Sequence, residues 1–209
     1  MAVIASAKYS LDLYFDRLDD QKRREKLDSI GRQIHYMVEL LDNVVMTVKG
    51  NLDYAAFKPV PVNLATLCQI CVTEIQETSG RNHHLIFVTD GQITTAPIDE
   101  TLVSRILLNL LSNAVKFSPE ASDIRLELSR RAHRIVLHVI DQGMGIADAD
   151  LPHIFEAFYR TEAAQHVRGT GLGLNIVKDC VDHHQGHIYV ESQVGIGTTF
   201  TVELPLMDA

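Results

Sequence analysis

The sequence lacks a disulfide framework, a membrane span and an excess of basic residues. Only three cysteines occur among 209 residues, Cys68, Cys71 and Cys180, which favours a reducing compartment and a cytoplasmic location. No apolar run approaches the ~18 residues of a membrane span, and the N-terminal stretch lacks the basic leader of a signal peptide. The net charge of −8 argues against a nucleic-acid-binding surface, which is normally basic. We therefore expect neither nucleic-acid nor membrane contact from this part of the chain.

What the sequence does contain begins with two helical segments within residues 3–48. The second carries apolar residues at intervals of three and four: Leu27, Ile30, Ile34, Met37, Leu41, Val44 and Val48. A helical hairpin this thin cannot bury both faces alone. We therefore expect two copies to form a four-helix bundle, which makes a homodimer through residues 3–48. The alternative is an ordinary helical domain without a partner.

The chain changes character after this hairpin. Gly50 can end a helix and Pro59 and Pro61 oppose a new one, which predicts one domain over 1–50 and another over 51–209. Helices are expected over 63–78, 99–117 and 171–184, and strands near 84–88, 93–96, 123–130, 134–140, 187–192 and 198–204. Short turns between the late strands predict an α+β domain in which a mixed sheet carries helices on one face.

A glycine-rich segment, "RGTGLGL", places Gly169, Gly171 and Gly173 at every second position before a helical run. A dinucleotide-binding fingerprint would need a strand just before the glycines, and the residues there are polar and loop-like. A P-loop would need Gly-x-x-x-x-Gly-Lys-Ser/Thr, and this segment does not fit that pattern. Alone, the glycines could cradle a phosphate or mark a tight turn.

Two further segments carry polar side chains in apolar surroundings. Asn109 and Asn113 lie four residues apart on an otherwise apolar helix and so share one face. An amide oxygen can ligate Mg²⁺, and Lys116 one turn further can reach phosphates. Asp141 ends a β-rich run and is followed by two glycines, where a carboxylate can accept from an exocyclic amine and the backbone can approach a flat base. Each segment alone could also be a capped helix end or a strand-end turn.

Taken in order, these motifs resemble those of the histidine kinase family, within the superfamily of gyrase, heat-shock chaperone ATPases and mismatch-repair ATPases. "NLLSNAVKFSP" resembles the asparagine box, "DQGMGI" the first glycine box, "IFEAFYR" the phenylalanine box and "RGTGLGL" the second glycine box. "GIGTTFTVELP" resembles the closing strand. The resemblance covers nearly the whole chain and implies an ATP-binding α/β sandwich.

The resemblance also implies a role for each matched residue in a site for ATP and Mg²⁺. Asn113 corresponds to the Mg²⁺ ligand, Asn109 lies beside it and Lys116 faces the phosphates, so these three are the expected catalytic residues. Asp141 accepts from the adenine amine, which opposes guanine because guanine presents an acceptor there. Residues 158–170 form a lid over the phosphates, and residues 161–170 within it offer almost no apolar anchor. The expected ATP-binding set further includes Phe117, Gly143, Gly145, Ile146, Phe158, Arg160, Arg168, Gly169, Thr170, Gly171, Leu172, Gly173, Leu174, Thr198 and Thr199.

Asn109 distinguishes the chain from the related ATPases, which carry a glutamate there as general base. An amide cannot take a proton at neutral pH, so the site is expected to hold ATP for transfer rather than to hydrolyse it quickly. The implied activity is that of a protein-histidine kinase, which moves the γ-phosphoryl group of Mg-ATP to a histidine and then to the aspartate of a response-regulator receiver domain. Two alternatives stay open: an anti-sigma-factor-type serine kinase and a non-catalytic, dimeric ATP-binding scaffold.

The family's phosphoacceptor box, a histidine followed by an acidic residue and soon by a proline, is missing from the first helix. His35 is the only histidine of the hairpin, and Tyr36 rather than an acid follows it. We therefore expect a fragment that fails to phosphorylate itself. Its sensor, any inner-membrane anchor and the phosphoacceptor would lie upstream.

Overall fold

The computed structural model describes residues 20–24, 26, 27, 30, 57–90, 95–167 and 169–206. The chain divides into two compact units, 1–52 and 53–209. In the first unit, the described residues are helical, and Arg23 and Asp20 form an ion pair at 3.0 Å. The rest of the predicted hairpin, including His35, lies outside the described residues, so the four-helix bundle stays a prediction.

The second unit has seven strands, three α-helices and one short 3₁₀ helix among its described residues. They are β1 (Val60–Val62), α1 (Leu64–Glu77), β2 (His84–Thr89), β3 (Ala96–Ile98), α2 (Glu100–Phe117), β4 (Asp123–Arg131), β5 (Arg134–Ile140), the 3₁₀ helix (Ala163–His166), α3 (Gly173–His183), β6 (His187–Gln193) and β7 (Gly197–Pro205). The three predicted helices are confirmed, with ends that differ by two residues at most. The strands predicted near 123–130, 134–140, 187–192 and 198–204 are confirmed as well, as β4, β5, β6 and β7.

One predicted strand is misplaced and one strand was not predicted. The strand expected near 93–96 lies at Ala96–Ile98, and residues 91–94 lie outside the described part of the chain. It pairs with the unpredicted β1, in a register that sets Pro61 opposite Pro97. Proline has no N–H group to donate, so it suits the free edges of such a two-stranded ladder. Pro59 and Pro61 indicate a break in helical structure, and that interpretation misses β1.

Five strands form a mixed sheet in the order β2-β4-β5-β7-β6. The pair β2–β4 is parallel and the other pairs are antiparallel. Side chains alternate between the two faces of a strand, and on β4 the face with Ile124, Leu126 and Leu128 is buried. All three helices contribute to the core cluster that covers this face. The predicted α+β class with a mixed sheet and helices is confirmed. No helix in the described part of the chain combines the length and apolar character of a membrane span.

The helices begin in two different ways. Asn63 caps α1 by accepting from the Thr66 N–H at 3.0 Å, and Asp99 caps α2 by accepting from Thr101 and Leu102 at 3.1 and 3.2 Å. Such caps stabilise a helix by about 1 kcal/mol. In contrast, α3 begins at Gly173 without a side-chain cap from the described residues. The first N–H groups of α3 are therefore left for another partner.

A buried histidine, His184, joins the end of α3 to the start of α2. Its Nδ1 lies 2.9 Å from the Cys180 carbonyl, and its Nε2 accepts from the Asp99 backbone N–H at 3.2 Å, which fixes the neutral tautomer. Phe57 packs edge-on against the ring, and the Lys58 N–H donates to the Asp99 carboxylate at 3.1 Å. Burial lowers the pKa of His184 below its usual value of 6.5.

We expect this histidine to make the protein less stable in mild acid. As the pH falls below the ordinary histidine pKa, the unfolded chain binds the proton first, while the folded chain resists it until the pH passes the lowered pKa. The free energy of unfolding should therefore decline in that window. Urea unfolding between pH 7 and pH 5 should show a smaller decline for His184→Gln than for the unmodified protein. Equal declines in the two proteins would contradict the assignment.

Candidate functional site

A pocket opens where α2 and β5 end and α3 begins. Its lining comprises Asn113, Phe117, Asp141, Met144, Gly145, Ile146, Ile154, Tyr159, Arg160, Thr161, Ala164, Leu174, Thr198 and Phe200. The wall is mainly apolar with a few polar groups, which is usual for a small-molecule site. Each of the four boxes and the closing strand contributes at least one residue, so the fold brings together segments that are far apart in sequence.

Asp141 is the buried carboxylate of this pocket. Its Oδ1 accepts from the Gly143 N–H at 2.8 Å and from the Thr198 N–H at 3.1 Å, while its own N–H donates to the Thr198 carbonyl at 2.9 Å. Burial raises the pKa of Asp141, and the two backbone hydrogen bonds partly oppose that rise. Within the described part of the chain no hydrogen bond reaches Oδ2. The pocket therefore presents one carboxylate oxygen to a ligand that can donate.

The first glycine box packs closely between the end of α2 and the β6–β7 turn. Gly145 has φ +70°, and a Cβ there would lie 2.1 Å from the Gln193 carbonyl oxygen. The neighbouring Met144 donates its N–H to Phe117 O at 3.1 Å and accepts from Gly195 N at 2.8 Å. Gly145 thus allows two protein backbones to approach, a requirement that the sequence interpretation had assigned to a flat base.

The asparagine face of α2 meets the uncapped start of α3. A Cβ added to Gly173 would lie 2.9 Å from Asn109 Oδ1 and 4.0 Å from Asn113 Nδ2. Asn109 also donates through Nδ2 to the Arg105 carbonyl at 2.9 Å, which holds its amide in place. Asn113 lines the pocket, whereas Asn109 lies behind Gly173. Lys116 is exposed in the last turn of α2.

Backbone contacts join the phenylalanine box to the second glycine box. The Phe158 N–H donates to the Gly171 carbonyl at 2.9 Å, and both residues have positive φ, +66° and +75°. A Cβ on Gly171 would lie 2.7 Å from the Phe158 carbonyl carbon, so this close approach requires glycine. Phe158 is 64% exposed and is not part of the pocket lining. Asn175 of α3 also donates to the Phe155 carbonyl at 3.2 Å.

The predicted lid has more internal structure than its sequence indicated. The Arg160 guanidinium, which lines the pocket, donates to the carbonyl of Ala164 within the 3₁₀ helix and to that of Val167 just after it. Within residues 161–170, Ala164 is the one apolar side chain among those described that is buried. Arg168 lies outside the described residues. At Gly169 an added Cβ would meet nothing within 4 Å.

Ten of the predicted residues that the structure describes are not part of the pocket lining. They are Asn109, Lys116, Gly143, Phe158, Gly169, Thr170, Gly171, Leu172, Gly173 and Thr199. Leu172 is fully buried in the core, and Thr170 Oγ1 accepts from its N–H at 3.1 Å. Thr199 follows Thr198 on β7, and consecutive strand residues point to opposite faces of the sheet. Thr198 therefore faces the pocket and Thr199 faces away.

Six lining residues were missed: Met144, Ile154, Tyr159, Thr161, Ala164 and Phe200. Phe200 could have been found from its period-two spacing to Thr198, since both point to one face. Tyr159 lies inside the phenylalanine box, where its hydroxyl donates to Asp150 Oδ1 at 2.6 Å and orients the ring. The apolar members carried no signal that separates a pocket wall from an ordinary core.

The donor set fits a magnesium ion that arrives with a phosphate ligand. Within the described residues, no group of three or more His, Cys, Asp or Glu side chains could hold a metal ion. The Asn113 amide in the pocket wall can supply one oxygen, and Mg²⁺ usually completes its octahedron with water and substrate phosphates. Asn113 would hold the ion, which would supply charge neutralisation for the phosphates.

Comparison with known proteins gives consistent similarities. Residues 98–208 match the family described as "Histidine kinase-, DNA gyrase B-, and HSP90-like ATPase". The circadian input-output histidine kinase CikA of Synechococcus elongatus is 30% identical over 190 residues, which cover 88% of this chain and 25% of that protein. The chain spans between 15% and 51% of the length of such curated relatives.

Two solved structures are similar as well. The crystal structure of full-length ShkA in complex with AMPPNP has a TM-score of 0.78 at 25% identity, over 99% of this chain and 43% of that one. The nucleotide-free catalytic domain of histidine kinase ThkA has a TM-score of 0.63 at 26% identity, over 71% of this chain and 96% of that one. The second match covers nearly all of an isolated catalytic domain.

Proposed function

Because the chain belongs to the family of histidine kinase-, DNA gyrase B- and HSP90-like ATPases, we propose that it is the ATP-binding catalytic region of a sensor histidine kinase. The whole protein would transfer the γ-phosphoryl group of Mg-ATP to a histidine and then to a response-regulator aspartate. The observation that carries the proposal is the buried Asp141 carboxylate, which offers one free oxygen in an apolar pocket beside the uncapped start of α3.

Each end of the pocket suits one end of ATP. Asp141 Oδ2 can accept from the adenine amine, and the apolar wall can cover the base. The N-terminal N–H groups of α3 can bind phosphate oxygens, since a helix N-terminus favours anions. Asn113 is placed to ligate Mg²⁺, and the Lys116 side chain extends from the same helix. Asn109 offers no proton acceptor strong enough for a general base, which favours transfer over hydrolysis.

The hairpin, residues 1–50, is proposed to form the dimer, and residues 51–209 to form the catalytic domain. Leu27, a seam residue, is 57% exposed in the single chain, so its side chain can pack against a partner. A receiver domain is the proposed protein partner, and the cytoplasm is the proposed location.

We expect light scattering to find a dimer that Ile34→Lys with Leu41→Lys converts into monomers, because charge in the seam opposes helix pairing. A pair of exposed substitutions, Arg24→Lys and Lys22→Arg, is the control, since it keeps the charge. A dimer that survives the two seam lysines would contradict a dimer through residues 3–48.

Calorimetry tests the proposed function directly. Mg-ATP should bind, and GTP should bind at least about tenfold more weakly, because a 6-oxo group opposes the Asp141 carboxylate. Equal affinities for the two nucleotides would overturn the assignment of Asp141.

Incubation of γ-labelled ATP with a longer chain that contains the upstream segment should give an acid-labile phosphohistidine. Acid-stable label on an added protein would favour the serine-kinase alternative instead.

A further inference from the structure

Ser192, on β6, is not part of the pocket lining but contacts three residues in two segments beside it. Its Oγ accepts from the Ile146 N–H at 2.8 Å, lies 3.1 Å from the Gly197 carbonyl oxygen and lies 2.8 Å from the Thr198 hydroxyl. Ile146 and Thr198 both line the pocket, and the Thr198 N–H donates to Asp141. One hydroxyl thus connects the wall of the pocket with its buried carboxylate.

The proton count of this hydroxyl sets the direction of each hydrogen bond. A serine Oγ has one proton and two lone pairs. The Ile146 N–H occupies one lone pair, and the Gly197 carbonyl can only accept, so it takes the serine proton. All three contacts are hydrogen bonds only if Thr198 donates its own proton to the remaining lone pair of Ser192. Thr198 then presents lone pairs, and no proton, to the pocket.

This arrangement places two acceptors side by side in the wall. Asp141 Oδ2 is one and Thr198 Oγ1 is the other. Two hydrogen bonds hold these residues together: the Thr198 N–H donates to Asp141 Oδ1 at 3.1 Å, and the Asp141 N–H donates to the Thr198 carbonyl at 2.9 Å. A 6-aminopurine offers two amine hydrogens to such an edge. A 6-oxopurine presents a carbonyl oxygen there, and its lone pairs face those of the wall, which costs binding free energy because buried acceptors are left unpaired.

We propose that Ser192 is a specificity-determining positioning residue, which fixes the Thr198 hydroxyl as an acceptor and so makes the pocket select 6-amino over 6-oxo purine nucleotides. The proposal rests on the proposed nucleotide-binding function. It assigns Ser192 an effect on base choice through Thr198, in addition to any effect on the shape of the wall through Ile146.

The test compares ATP with ITP, whose base carries the 6-oxo group without the 2-amino group of guanine. In Ser192→Ala the Thr198 proton is released and can point at the 6-oxo group, so the ratio of ATP to ITP affinity should fall about tenfold. Ser192→Thr keeps a hydroxyl and should keep the ratio within about twofold. In a Thr198→Val background, Ser192→Ala should leave the ratio unchanged, because the Thr198 hydroxyl through which Ser192 acts is already absent.

The outcomes distinguish a failure of the proposed nucleotide-binding function from a failure of the role proposed for Ser192. Unmodified protein that binds neither nucleotide would overturn the proposed function itself. ATP binding with an unchanged ratio in Ser192→Ala would overturn only the role of Ser192. An equal loss of affinity for both nucleotides would indicate that Ser192 merely supports Ile146, and would overturn selectivity through Thr198. If Ser192→Ala does not fold, Thr198→Val must lower the ratio of ATP to ITP affinity while Ser192→Thr retains it, or the proposal is wrong.

Discussion

ATP affinity should fall about 100-fold, and the preference over GTP should disappear, when Asp141 is replaced by asparagine. The two backbone N–H groups that bind Oδ1 require an acceptor at that position. The asparagine oxygen must therefore occupy it, and the amide NH₂ is forced into the place of Oδ2. A donor then faces the adenine amine, and the lost and opposed hydrogen bonds cost up to about 3 kcal/mol.

Calorimetry with both nucleotides measures this effect. GTP should lose little affinity or gain some, because its 6-oxo group can accept from the new amide. Asp148→Asn removes the same charge from an exposed residue and should leave both affinities within about twofold. A uniform loss for ATP and GTP in Asp141→Asn would mean that the carboxylate supports the fold of the pocket rather than recognising the base.

The free energy of unfolding should fall by about 3 kcal/mol or more in Gly197→Ala. Gly197 has φ +143°, and an added Cβ would lie 2.1 Å from the Asp141 carbonyl oxygen. That contact is with backbone, so β7 or the end of β5 must move, and both backbone strain and the clash contribute. Nucleotide affinity should fall as well, because the same shift displaces Asp141.

Two glycine variants serve as matched controls in urea unfolding. Gly195 has φ +79° but an added Cβ meets nothing within 4 Å, so Gly195→Ala isolates backbone strain and should cost about 1 kcal/mol. Gly169→Ala meets no neighbour and has no such φ, so it should change stability by less than about 0.5 kcal/mol. Equal stability of the Gly197 and Gly169 variants would contradict the crowding described for β7.

The elements that the sequence predicted well are those with local signals. The caps at Asn63 and Asp99 and the long apolar period of α2 depend on neighbouring residues, so their positions could be deduced from the chain alone. The pairing of β1 with β3 could not, because its register depends on a partner 36 residues away, Pro97 opposite Pro61. Strands interrupted by proline carry little signal of their own.

The residues of the candidate site also divide into those with a local sequence signal and those whose role depends on distant partners. Asp141 and Asn113 were found because a polar side chain in an apolar run is unusual. Ser192 gave no such signal, since its contacts reach Ile146, which lies 46 residues away in sequence. Met144 and Phe200 were missed because an apolar residue at a buried position looks the same in a pocket wall and in a core. Only the three-dimensional arrangement separates these two environments.

The strand order has a consequence for how the domain is made on the ribosome. In the sheet β7 lies between β5 and β6, so β6 has no neighbour in the sheet until β7 has emerged. Thr198 and Phe200 on β7 also complete the pocket wall. Synthesis adds roughly 5–20 residues per second from the N-terminus, so the other segments of the pocket are made before this strand. We therefore expect that a nascent chain that stops before residue 197 does not retain ATP, and that nucleotide binding begins only after β7 leaves the exit tunnel.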